Sequence, residues 1–222
     1  MKKLILLLTF CGFLASCGGG GGGNDDKGGD EDFSNSSGVR IVHGALDGSP
    51  VNVLLDTKRL NAKPLPFGSI SPFYKINEGR HEVRIEEAGN GVSRVLFFDF
   101  RKDDRYTILF SSENLTTTSI LEPGSKVKAS SSEMEGCSLQ FVHAVNKADD
   151  LDIVLNGNNV GSLAPQGLSN LYHIAPGPNQ VALLNYQGAI VWKGEVACKK
   201  EEDKTLLVTG EEGYFVTATS TP

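Results

Sequence analysis

Arg80-His81-Glu82-Val83-Arg84-Ile85-Glu86 is the stretch that decides the fold. In an extended chain His81, Val83 and Ile85 fall on one side, and Arg80, Glu82, Arg84 and Glu86 on the other. A period of two marks a half-buried strand, whereas a helix would repeat its apolar residues every three or four positions. Tyr106, Ile108 and Phe110 alternate in the same way. Further along, Asn179 to Tyr186 and Ala189 to Ala197 read as paired strands around Gln187-Gly188. Short strands separated by Gly, Pro, Asn and Asp, without a long helical pattern, point to an all-β sandwich of immunoglobulin-like or transthyretin-like type.

The strands come in two sets, about 100 residues apart. Val39-Arg40-Ile41-Val42-His43-Gly44-Ala45 recurs as Leu139-Gln140-Phe141-Val142-His143-Ala144-Val145. Val51 to Asp56 recurs as Leu151 to Asn156, and Ser71-Pro72-Phe73-Tyr74 as Ser169-Asn170-Leu171-Tyr172. Arg105-Tyr106-Thr107-Ile108-Leu109 is matched with Lys204-Thr205-Leu206-Leu207-Val208. The expectation is two tandem β-sandwich domains, 38–122 and 136–219, joined by a polar linker at 123–135. Domains of this size can bury only a modest core.

Ahead of them, Lys2-Lys3 and the apolar run Leu4 to Leu14 read as a signal peptide covering 1–16, because the run is too short to span a bilayer. Leu14-Ala15-Ser16-Cys17 resembles the lipobox of bacterial lipoproteins, which implies acylation of Cys17 and a membrane anchor. An ordinary secretory cut near Ser16 is the alternative. Residues 17–37 are a run of glycine followed by carboxylates, a composition that cannot form a core and reads as a disordered tether. The sharper reading of its acidic cluster is divalent-cation binding or a sorting signal. Gly18 after the cysteine resembles lipoproteins released to the outer membrane. The expected location is therefore the bacterial cell envelope, outer membrane, with the periplasmic or surface face open.

The chain has 21 Lys+Arg against 27 Asp+Glu, and loss of Lys2 and Lys3 leaves 19 against 27, a net charge of −8. That balance argues against nucleic acid as a partner, since phosphate neutralisation needs clustered Lys and Arg. It also leaves membrane attachment to the lipid rather than to the protein surface.

The Arg-Ile-Val-His opening, the strand from Val51 to Asp56, Phe67-Gly68-Ser69-Ile70 and the turn at Gly79 look like the 4397 family of domains of unknown function. The resemblance covers both copies and is stronger in the first, since the second has Ala164-Pro165-Gln166-Gly167 in place of Phe-Gly-Ser. It implies an exported β-rich fold, often in tandem, and carries no established activity.

Of the four cysteines, Cys11 is discarded with the signal and Cys17 takes the lipid. Export leaves Cys137 and Cys198 in an oxidising compartment, and a disulfide between them is expected. Free buried thiols are the bland alternative. The repeated histidines are the candidate site. His43 precedes Asp47, and His143 is followed by Asp149, so these four are the candidate metal ligands. Yet His43 shares its strand face with Val39 and Ile41, and His143 with Leu139 and Phe141. Arg40 and Gln140 point the other way. That pattern favours a histidine at the rim of the core that closes a turn. Calcium on the neighbouring aspartates lacks any EF-hand spacing. Trp192, Tyr74 and Tyr172 read either as a sugar-stacking platform or as core.

No nucleophile elbow, His-Glu-x-x-His or phosphate-binding loop occurs. The leading expectation is a non-catalytic envelope lipoprotein, without cofactor, whose tandem sandwiches bind a protein or glycan. A small-ligand or metal-binding lipoprotein is second, and an enzyme of unrecognised type third.

Overall fold

The alternation at residues 80–86 becomes the centre of a long strand, β5 (Gly79–Glu87), with Val83 and Ile85 fully buried and Arg84 exposed. The computed structural model describes residues 37–46, 48–111, 118–121, 136–145, 148–200 and 202–210, and the backbone of 215–221. The described residues form strands and turns without helix.

The first half contains β1 (Ser37–His43), β2 (Val51–Leu55), β3 (Lys58–Arg59), β4 (Tyr74–Ile76), β5, β6 (Ser93–Phe100), β7 (Arg105–Phe110) and β8 (Thr118–Leu121). These make two sheets, β4-β1-β7-β8 and β3-β2-β5-β6. The second half contains β9 (Cys137–His143), β10 (Leu151–Leu155), β11 (Asn158–Leu163), β12 (Gly167–Leu168), β13 (Tyr172–Ile174), β14 (Gly177–Leu184), β15 (Ile190–Cys198), β16 (Asp203–Thr209) and β17 (Phe215–Thr221). Its sheets are β12-β9-β16-β17, with β13 also on β9, and β11-β10-β14-β15. Every ladder among these strands joins members of one half. In each half the opening strand lies parallel to a late one, β1 to β7 and β9 to β16, while the remaining pairs are antiparallel.

Each half closes as a sandwich around its own core. Val39 and Ile41 meet Val83 and Ile85 in the first, and Leu139 and Phe141 meet Ile153 and Leu183 in the second. A third cluster lies between the halves, where Val42 and Leu109 pack with Val142, Ala144 and Leu207. The central strands β1, β7, β9 and β16 are thus buried on both faces, between the two cores. Double burial explains why they carry apolar residues on both sides, as sheets covered on both faces do.

Register also corrects the match between the late strands. Arg105 lies opposite Gly38 and Asp203 opposite Ser138. Arg105 therefore corresponds to Asp203, and Leu109 to Leu207, one residue away from the sequence match with Lys204 and Val208. A one-residue slip exchanges the two faces of a strand. Only the corrected register sends Leu109 and Leu207 to the shared cluster.

The halves lock their sheets differently. Cys137 at the start of β9 and Cys198 at the end of β15 form a disulfide, Cα–Cα 5.9 Å, that joins the inner sheet to the outer one. The equivalent positions in the first half are Ser37 and Phe100, by their pairing with Ile76 and Gly79. There Phe100 packs at 5.0 Å against both Phe98, tilted, and Tyr106, edge-on, an aromatic cluster where the second half has sulfur.

Candidate functional site

Both repeated histidines end an inner strand and turn into their own half. His43 is 1 % exposed, and its Nε2–H donates to the Ser49 carbonyl at 2.9 Å. Phe110 and Phe67 meet its ring edge-on at 5.5 and 6.3 Å, and Nδ1 is buried without a hydrogen bond. His143 is fully buried. Its Nε2–H faces the Asp149 backbone carbonyl at 3.4 Å, while Val145 N–H donates to Nδ1 at 3.3 Å. Each ring so spans the loop that follows its strand. Burial lowers the pKa of His43 and takes that of His143 down to about 4, so both are neutral at pH 7.

Asp149 contributes its main-chain carbonyl to this contact. Asp47 and Cys17 lie outside the described residues. Among the described residues no group of three or more His, Cys, Asp or Glu side chains is gathered. The aromatic candidates separate as well: Tyr74 packs on the first core, Tyr172 and Trp192 on the second.

The charged site that the sequence did not single out is Arg40. It sits 2 % exposed between the halves. Its guanidinium donates from Nε to Thr107 Oγ1 at 3.0 Å, from Nη1 to Thr205 Oγ1 at 2.6 Å and from Nη2 to Gln140 Oε1 at 2.7 Å. Phe73 lies 5.0 Å beneath it and carries Arg105 at 5.2 Å, and Arg105 in turn pairs with Asp203 at 3.4 Å. Burial pulls the pKa of Arg40 down to about 10, which leaves it charged. The signal for this site was an apolar Val42 and Val142 on the face that Arg40 and Gln140 share.

A second unanticipated feature is a turn clamp on each outer sheet. Asp56 occupies the left-handed region after β2 (φ 55°) and accepts Glu82 N–H at 3.0 Å and His81 Nδ1 at 2.8 Å. His81 Nε2 reaches the Asn77 carbonyl at 3.1 Å. The second half builds the same clamp without charge: Asn156 (φ 48°) accepts Gln180 N–H and donates to Asn179 Oδ1 at 2.9 Å, and Asn179 donates to the Ala175 carbonyl.

The outer sheets also carry the exposed large hydrophobics of the described residues: Val95 (42 %), Phe97 (61 %), Tyr186 (70 %) and Ile190 (61 %). Val95 and Phe97 stand on β6, Ile190 opens β15, and Tyr186 lies in the turn before it. These two strands are equivalent, and each ends its sheet. The Arg80 guanidinium sits 5.6 Å over Phe97.

Compared with known families, residues 37–134 match the model described as a domain of unknown function (DUF4397), once along the chain. No curated protein matches the chain.

Proposed function

We propose that this chain is a lipid-anchored, non-catalytic protein of the bacterial outer membrane, and that it holds an envelope protein or glycan at the edges of its outer sheets. The observation that carries the reading is the placement of the exposed hydrophobics. Val95 and Phe97 stand on β6 and Ile190 on the equivalent strand β15, with Tyr186 in the turn that leads into it. Among the described strands none pairs beyond β6 or β15, and such an edge offers N–H and C=O groups to a partner while apolar side chains on it invite either a partner or aggregation. A partner strand added there would gain main-chain hydrogen bonds and side-chain contact together. Two equivalent edges in one chain can engage a repeated or dimeric partner with raised effective affinity.

The signal peptide and the lipobox-like tetrapeptide ending at Cys17 support the anchor, and the net charge of −8 argues against nucleic acid. The second half, with the same strand order as the matched segment, reads as a diverged copy of the same domain. The absence of a recognisable catalytic motif in the sequence supports a binding role.

In-cell crosslinking with affinity capture tests this directly. Phe97→Lys combined with Ile190→Lys is expected to abolish retention of a captured partner while the thermal midpoint stays put, since exposed substitutions usually change stability by less than about 0.5 kcal/mol. Undiminished capture by that variant refutes the edge as the binding site. Cys17→Ser is expected to release the protein from the membrane fraction, and continued membrane retention would refute the anchor.

A further inference from the structure

The contact between the halves has an unusual property: residues meet their own counterparts. Arg40 and Gln140 occupy the same place in β1 and β9, and they hydrogen-bond to each other. Gly44 and Ala144 follow those strands at equivalent positions, and a Cβ placed on Gly44 would lie 2.1 Å from the Ala144 Cβ. Arg105 and Asp203, equivalent in β7 and β16, form the ion pair at 3.4 Å. Thr107 and Thr205, also equivalent, both accept from Arg40. Self-contact between equivalent positions defines a two-fold axis, as in an isologous dimer interface.

A symmetric interface built from two identical copies would put like against like at each of these places. Two first halves would bury Arg40 against a second Arg40 and bring two Arg105 side chains together. Two second halves would press Ala144 on Ala144 at less than van der Waals separation and oppose two Asp203 carboxylates. The chain instead puts arginine against glutamine, glycine against alanine and arginine against aspartate.

We propose that this face is a heterotypic recognition surface, on which each half accepts the other and rejects its own kind, so that the chain is a fused two-fold dimer rather than two independent beads on a string. Arg40–Gln140, Gly44–Ala144 and Arg105–Asp203 are the determinants of that choice. The proposal is independent of what binds the outer edges.

A protease site inserted in the connecting segment between 122 and 135 of the full chain permits the test. After cleavage of the folded protein, native mass spectrometry should show the two halves as a 1:1 complex and no dimers of either half alone. Separation of the halves at micromolar concentration, or like-half dimers as abundant as the mixed complex, would overturn the proposal. The axis itself is tested by exchange of partners. Arg105→Asp should weaken the cleaved pair by roughly tenfold, because it sets two carboxylates against each other. Adding Asp203→Arg should restore affinity to within about twofold, since the pair is merely reversed. Likewise Gly44→Ala should loosen the pair and Gly44→Ala with Ala144→Gly should recover it. Failure of both double exchanges to recover would show that the positions are not related by the axis. All these variants are read as full chains first by circular dichroism, so that loss of fold is separated from loss of pairing.

Discussion

Reduction of Cys137–Cys198 is the perturbation whose size follows most directly from the structure. The bond spans 61 residues and closes β9 to β15, most of the second half, into one loop. Loop-closure entropy for that length gives about 4 kcal/mol of stabilisation at 25 °C. In a chain of this size each kcal/mol moves the thermal midpoint by about 2–4 °C, so reduction should lower it by roughly 8–16 °C. The assay is urea and thermal unfolding with and without a phosphine reductant, followed by two probes. Trp192 fluorescence reports the second half, where the chain's single tryptophan packs on the core. Far-ultraviolet circular dichroism reports all the strands. Since Val42, Leu109, Val142 and Leu207 share one cluster, both probes should shift together. A change in unfolding free energy of less than about 1 kcal/mol would refute the loop-closure argument. Fluorescence falling early while most of the dichroism persists would refute the coupling of the halves.

Three further outcomes are expected. His143 is held neutral by burial, with its pKa lowered to about 4, so its contribution is complete above the ordinary histidine range and is lost as pH falls through that window. His143→Gln should remove a pH-dependent loss of about 3 kcal/mol between pH ~7 and ~4, seen as a flattened plot of urea midpoint against pH. The hydrogen bond from His81 is the main cause that lowers the pKa of Asp56, so the folded state is favoured above the ordinary carboxylate range and loses that preference as pH falls through the lowered value. Asp56→Asn should abolish acid-dependent hydrogen exchange in β5 while leaving β14, whose clamp is Asn156–Asn179, unchanged; equal change in both strands would contradict this. Arg40→Ala strips a donor from Thr107, Thr205 and Gln140 in a buried interface and should cost about 3 kcal/mol in urea unfolding, and a loss below ~1 kcal/mol would show that the network adds little.

The strands were legible because residues such as Val83 and Ile85 alternate with charges, and the Cys137–Cys198 bond was legible from the expected export and from pairing by elimination. The histidines were legible in part: sharing a face with Val39 and Ile41 placed His43 inward, but only coordinates reveal that Ser49 and Asp149 answer through main-chain oxygens. The contact between the halves was hidden by its own construction. Arg40 and Gln140 alternate with apolar neighbours and so mimic a solvent face, although Val42 and Val142 stand on that same face. A polar residue buried by a neighbouring module carries the same local pattern as one facing water. The slip of one residue in the late-strand match compounded this, since it sent Leu207 to the wrong side. The turn clamp was hidden for a different reason: the repeat paired Asp56 with Asn156, but their partners His81 and Asn179 differ in chemistry and lie 25 and 23 residues away.

The position of β1 carries one more consequence. The chain enters the described fold at Ser37, directly into a strand held by β4 on one side and by β7 on the other. Tension applied from the amino-terminal side is therefore delivered along the axis of that strand. Its cross-strand bonds then resist as a group, in shear, instead of opening one after another like a zip. The same strand is gripped from above and below by buried layers, so extraction would have to tear both at once. If the proposed anchor at Cys17 holds the chain, any load on the folded part reaches it through this strand.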